Sequence, residues 1–187
     1  VIPDDARTMQ DDGTEESVSL VRAFLAEGGV HALQLAPDGQ RLVWSSSAGI
    51  AISDLVHLRP ELPLVIPAAF LGGKLLPELL RLYWSPDDCY VAAHTNQGVI
   101  VWESREGAYV GSIALLTDGS FPMAWSPDSR ELAIAQGGDL FLWQPVTRQQ
   151  RVVETDLRAE SLAWSPDGAW LALDGHRRDA ALIILVD

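Results

Sequence analysis

One short turn, written four times, constrains this chain more than any other feature. Leu33-Gln34-Leu35-Ala36-Pro37-Asp38-Gly39 is repeated as Leu82-Tyr83-Trp84-Ser85-Pro86-Asp87-Asp88, then Met123-Ala124-Trp125-Ser126-Pro127-Asp128-Ser129, then Leu162-Ala163-Trp164-Ser165-Pro166-Asp167-Gly168. Successive prolines lie 49, 41 and 39 residues apart. A regular period of this length marks a stacked-repeat architecture, in which no unit can bury its own apolar faces without a neighbour.

Each copy continues alike. After the Pro-Asp turn comes an apolar run (Arg41 to Trp44, Tyr90 to Ala93, Glu131 to Ile134, Trp170 to Leu173), then a polar or glycine-containing turn, then a third run. The third runs are Gly49 to Asp54, Gly98 to Glu103, Asp139 to Gln144 and Ala181 to Asp187. Short runs rich in β-branched and aromatic residues, bounded by Gly, Pro, Asn and Asp, read as strands. A four-stranded propeller blade takes roughly 40–45 residues, which matches the last two intervals. The expected fold is therefore all-β, a β-propeller with four four-stranded blades. A ring completed by a longer chain or by a second copy remains open beside closure of the four alone. Blades are expected near 30–55, 67–104, 108–145 and 149–187 within a propeller region 17–187, preceded by an acidic tail or linker over 1–16. An N-terminal strand from Val18 to Leu25 is one way to complete the last blade, with a helix as the rival reading of that segment.

The turn residues have a structural reading. Proline (Pro37, Pro86, Pro127, Pro166) presets φ for a type I turn, and the following aspartate (Asp38, Asp87, Asp128, Asp167) can accept hydrogen bonds from nearby amides. Asp88 and Ser129 stand where Gly39 and Gly168 stand in the other copies, so those turns must tolerate a side chain. Trp84, Trp125 and Trp164 precede the turn prolines by two residues, and Leu35 takes that place in the first copy. Trp102 and Trp143 end third strands. Large rings filling space between blades account for both sets.

Composition narrows the function classes. The formal charge is −13, from 26 acidic against 13 basic side chains, and this disfavours a phosphate backbone as a partner. Cys89 is the one cysteine, so neither an internal disulfide nor a thiolate cluster can form. The most apolar stretch, from Leu62 to Leu71, is broken by Pro63 and Pro67 and is too short to span a bilayer. A soluble protein is expected: cytoplasmic, or periplasmic or extracellular if a leader is removed.

With these motifs in view, the chain resembles the WD40-like repeat proteins, in particular bacterial β-propellers with Trp-Ser-Pro-Asp-Gly turns such as the propeller of the Tol system. The resemblance covers about residues 30 to 187. It departs from the WD40 pattern in two ways: no Gly-His dipeptide opens a copy, and the Trp-Asp ending survives only as Trp102-Glu103, Trp143-Gln144, Ser53-Asp54 and Val186-Asp187.

The longest interval contains an irregular, proline-rich insertion at 57–80. Its apolar residues Leu62, Leu64, Ile66, Phe70 and Leu71 are candidates for docking a partner, with a strand and loop folded over the blade edge as the alternative. His31, His57, His94 and His176 fall in different copies without metal-ligand spacing, although His94 and His176 both follow second strands and so belong near one rim. No nucleophile elbow or phosphate loop occurs. The sequence therefore leads to the expectation of no catalytic residue, no cofactor and no metal, and of a protein that is not an enzyme. Two functional readings follow. One is a non-catalytic protein–protein interaction scaffold, with protein partners or further blades, or a homo-oligomer through blade edges. The other is an accessory or substrate-gating propeller of a larger enzyme or signalling protein.

Overall fold

The computed structural model describes residues 29–57, 61–71, 79–114, 121–177 and 180–186. The segment from Val18 to Leu25 and the expected tail at 1–16 lie outside these residues.

Antiparallel strands in sequence order build three sheets. The first contains β1 (Ala32–Leu35), β2 (Arg41–Ser46), β3 (Gly49–Asp54) and β4 (Leu62–Leu64). The one-turn helix α1 (Ala68–Leu71) follows. The second sheet contains β5 (Leu79–Trp84), β6 (Tyr90–Thr95), β7 (Gly98–Glu103) and β8 (Tyr109–Ala114). The third is six-stranded: β9 (Met123–Trp125), β10 (Leu132–Gln136), β11 (Gly138–Trp143), β12 (Gln150–Trp164), β13 (Leu171–Arg177) and β14 (Ala180–Val186).

This departs from four separate four-stranded blades. The third and fourth repeat units share β12, a 15-residue strand. Its first part pairs with β11 as far as Leu157, and its second part pairs with β13 from Arg158 onward. The segment between has no proline or glycine to break it, so the chain passes from one unit to the next without leaving extended structure. It bends instead, through Asp156 at φ +52° and register shifts at Gly138/Asp139 and Ala159/Ser161. Such bulges add twist and re-aim the strand. Among the described residues the fourth unit consists of the second part of β12, β13 and β14.

The core follows the repeat. A first cluster joins Val43, Ile50, Ile52 and Leu64 of the first unit to Leu82, Trp84, Val91, Ala93 and Trp102 of the second. A second joins Ala92, Val99 and Val101 to Met123, Trp125, Leu132, Ile134 and Trp143 of the third. A third joins Ala133, Leu140 and Leu142 to Leu171 and Leu173 of the fourth. Strand alternation explains this: odd and even positions point to opposite faces of a sheet, so each unit offers one apolar face backward and one forward.

Polar contacts recur at the same junctions. The indole N–H of Trp84 donates to the Gln34 carbonyl at 3.2 Å, that of Trp125 to Tyr83 at 3.4 Å, and that of Trp164 to Ala124 at 3.3 Å. In each case the acceptor is one residue before the equivalent position of the preceding unit. Leu35 has no N–H to give at that position.

The irregular segment belongs to the first junction. β4 pairs with β3 as the outer strand of the first sheet. Leu64 is buried in the first cluster, Leu62, Ile66 and Phe70 pack against it partly buried, and Leu71 is half-buried at the end of α1. The Val65 carbonyl accepts the Trp102 indole N–H at 2.8 Å, tying the segment to the second unit. The five apolar residues singled out in the sequence therefore pack largely against protein, because Trp102 and the first cluster need a cover.

Candidate functional site

The Pro-Asp turns that recur in the sequence share one hydrogen-bonding plan. In every copy the residue after Asp donates its N–H back across a tight turn: Gly39 to Ala36, Asp88 to Ser85, Ser129 to Ser126 and Gly168 to Ser165, at 2.9 to 3.0 Å. All four of these donors have positive φ, between +61° and +72°. Glycine meets that requirement without strain, and Asp88 and Ser129 meet it at some cost.

What those two side chains do answers why they are tolerated. The Ser129 hydroxyl accepts the Asp87 N–H of the preceding turn at 3.0 Å, and Asp88 Oδ2 accepts the Asp38 N–H at 3.3 Å. Each crosses a junction between units. Arg41 reinforces the first crossing: it donates to the carbonyls of Ser104 and Asp88 at 3.0 and 3.1 Å and lies over the Trp84 ring at 4.8 Å.

The turn aspartates accept locally. Asp38 takes the Gln40 N–H, Asp87 that of Cys89, Asp128 that of Arg130 and Asp167 that of Ala169. Ser85, Ser126 and Ser165 donate to the same carboxylates at 2.6 to 2.7 Å and accept the N–H of Tyr90, Glu131 and Trp170. The serine hydroxyl hydrogen bonds, together with the amides, hold the Asp128 and Asp167 carboxyls below their ordinary range. For Asp87 burial pushes upward, but hydrogen bonds from Ser85 and Cys89 outweigh it and the carboxyl is again lowered. Asp88 runs the other way: burial and the neighbouring Asp38 carboxylate raise it against the pull of Arg41. Asp38, Asp87, Asp128 and Asp167, one per unit, are thus committed to their own turns, whereas Asp88 reaches the turn before.

A cleft on the strands that open the later units has a different character. It measures about 680 Å³ and is lined from β5 by Arg81 and Tyr83, from the start of β9 and the two residues before it by Met123, Phe121 and Pro122, from β12 by the run from Arg158 to Leu162, and from β13 by His176. Alternation along β5 puts Arg81 and Tyr83 on one side. The Ala159/Ser161 bulge lets consecutive β12 residues line the same space, and β5 carries the equivalent bulge between Leu79 and Arg81.

Within the cleft Glu160 pairs with His176 at 3.3 Å, and Ser161 gives both its N–H and its hydroxyl, at 2.8 and 2.5 Å, to Asp174 on the neighbouring β13. Arg81 and Arg158 form no ion pair among the described residues. His94, opposite Arg81 in the β5–β6 register, is fully buried with its ring 3.8 Å from that of Phe121. The two histidines of the expected rim are thus divided: His176 lines the cleft and His94 stands behind its wall. The sequence reading missed Arg81, Arg158 and Glu160. Arg81 is the one charged residue within Leu79–Trp84, but nothing local shows that a second arginine, in another unit, shares its space.

Sheets stacked through alternating faces, in register with a sequence repeat, define a propeller-like all-β fold, and comparison with solved structures agrees. The chain is similar to Kuenenia stuttgartiensis hydrazine synthase, with 16% identity, a TM-score of 0.61, and coverage of 94% of this chain and 49% of that one. It is also similar to dihydro-heme d1 dehydrogenase NirN in complex with DHE, with 16% identity, a TM-score of 0.60, and coverage of 88% and 36%. Both are β-propeller proteins. The chain spans less than half the length of either matched structure. No family model matches the sequence, WD40-like repeats included, and no curated protein matches it. The expectation that the protein is not an enzyme is corrected here: both matched structures are enzymes.

Proposed function

We propose that this chain is a propeller unit of an enzyme-type assembly, and that its two end faces are covered by further blades of the same repeat, supplied by a second copy. In this reading the stretches near 30–55, 67–104, 108–145 and 149–187 are successive blades, and partner contact runs through whole blade faces rather than through the proline-rich segment.

One observation carries the proposal. Equivalent positions on the forward faces of the first three units are buried: Ile50 and Ile52, Val99 and Val101, Leu140 and Leu142. On the fourth unit those positions are Ile183 and Leu185, which are 76% and 62% exposed. The backward face of the first unit repeats the pattern, with Leu33 and Leu35 exposed at 63% and 56% where Leu82 and Trp84 are buried. Apolar faces of this kind, patterned for stacking and left in water, mark interaction surfaces. A forward face on one copy and a backward face on another are complementary by the rule that already joins the units within the chain. Joined twice, two copies close a ring of about eight blades, within the range that propellers adopt.

Light scattering on the purified chain tests this. The wild type is expected to run as a dimer, and Ile183→Asp with Leu185→Asp as a monomer with unchanged circular dichroism. A monodisperse wild-type monomer at tens of micromolar overturns the reading.

A further inference from the structure

We propose that the cleft between β5, β9, β12 and β13 binds an organic carboxylate with an apolar body, its charge met by Arg81 and Arg158. This is independent of how the end faces are covered.

Charge distribution is the first argument. Acidic side chains outnumber basic ones two to one, so an arginine placed at random on this protein finds a carboxylate easily. Arg41, Arg130, Arg151 and Arg177 do, while Arg105 and Arg148 make no ion pair with a described residue, so it is the shared cleft and not the lack of a partner that sets Arg81 and Arg158 apart. Arg81 and Arg158 come from different units, line one cleft, and form no ion pair among the described residues. The carboxylate best placed to neutralise them, Glu160, is taken by His176. The neighbouring Asp174 is occupied by Ser161 through two hydrogen bonds. Among its described lining residues the cleft thus places two guanidinium groups against one carboxylate, inside a strongly negative protein.

The walls supply the second argument. Tyr83, Phe121, Pro122, Met123 and Leu162 line the same cleft as the two arginines and give it apolar surface beside their charge. A volume of about 680 Å³ suits a small organic molecule rather than a bare ion, and falls in the usual range of ligand pockets. Guanidinium groups favour carboxylates because their planar N–H pairs match both oxygens. A ligand with a carboxylate head and an aromatic or aliphatic body satisfies both kinds of lining at once.

The two arginines are positioned by backbone features that their own replacement leaves intact. Arg158 begins the β12–β13 pairing, and its carbonyl lies against Gly175, where a β-carbon would collide with it. Arg81 sits at the β5 bulge. Neither side chain makes an ion pair whose loss would unfold the sheet.

Calorimetric titration of the full chain with 4-phenylbutyrate tests the proposal, with 4-phenylbutanol and 4-phenylbutylammonium as matched probes. Phenylbutyrate is expected to bind at least tenfold more tightly than either. Arg81→Gln and Arg158→Gln should each weaken it by about tenfold, the loss of one charge-assisted contact. Glu160→Gln should strengthen it, which no general destabilisation would do. Equal affinity for the alcohol, or unchanged binding in the Arg81→Gln, Arg158→Gln double variant with its melting midpoint preserved, overturns the proposal.

Discussion

The junctions inside the chain and the faces at its two ends are made of the same kind of residue in the same register, yet they stand in opposite environments. Leu140 and Leu142 on β11 are buried against Leu171 and Leu173, whereas Ile183 and Leu185 occupy the equivalent places on β14 and face solvent. The difference teaches that the apolar pattern of a repeat records how units stack, not whether a neighbour is present. It also separates what stabilises the described fold from what is available for association.

The largest effect expected of breaking this contrast comes from truncating matched residues. Leu142→Ala should destabilise by about 2–5 kcal/mol through lost contacts and the cavity left behind, while Leu185→Ala should stay within about 0.5 kcal/mol in the isolated chain. Denaturant melts of the two variants at concentrations where the protein is dissociated provide the check. Equal losses would mean that the β14 face is covered after all.

A glycine pair sharpens the same contrast. Gly49 and Gly98 open β3 and β7 at equivalent positions, with φ of +141° and +134°. A β-carbon on Gly49 would meet nothing within 4 Å, whereas one on Gly98 would collide with the Ile113 carbonyl oxygen on β8. Gly49→Ala should therefore cost about 1–2 kcal/mol, the backbone strain alone. Gly98→Ala should cost distinctly more, since β7 and β8 must separate. Thermal melts compare them directly.

The smallest effect concerns the turns. The first turn has Ala36 where the third has Ser126, so Ser126→Ala makes an internal turn resemble the terminal one. It removes the acceptor for the Glu131 N–H and the donor to Asp128, at a cost of about 1–2 kcal/mol at pH 7. The pH dependence has a definite sign. Carboxyls lowered in the folded state, as in Asp87, Asp128 and Asp167, contribute stability above their unfolded value near pH 4, and this is lost as pH falls through the folded value. Asp88, raised by burial and Asp38, opposes this weakly, because its cost at neutral pH is relieved on protonation. Wild type should thus lose stability below about pH 4, and Ser126→Ala should lose less of it, as measured by melting midpoints from pH 7 to pH 3.

Much of the local structure was legible. The Pro-Asp turns mark the ends of β1, β5, β9 and β12, and the third runs correspond closely to β3, β7, β11 and β14. The tryptophans read as fillers between units lie in the clusters that join them. The cleft was not legible, because Arg81 and Arg158 are brought together by stacking, and neither stands out in its own strand. The segment from Leu62 to Leu71 was legible as apolar, with a docking element and a strand and loop over the blade edge as its two readings; that it lies over Trp102 depends on a hydrogen bond to a residue far along the chain.

By itself the sequence determined the period, the turns and the alternation of the strands, because each depends on residues close together: proline's fixed φ, aspartate's reach to a nearby amide, the two-residue period of a pleated strand. Only the tertiary structure decided that the third and fourth units share β12, that Asp88 and Ser129 are kept in strained turns to reach the turn before, and that one apolar face is covered while its equivalent is bare. The physical reason is common to all three. Burial and long-range hydrogen bonds are set by which unit lies next door, and no short stretch of residues carries that information.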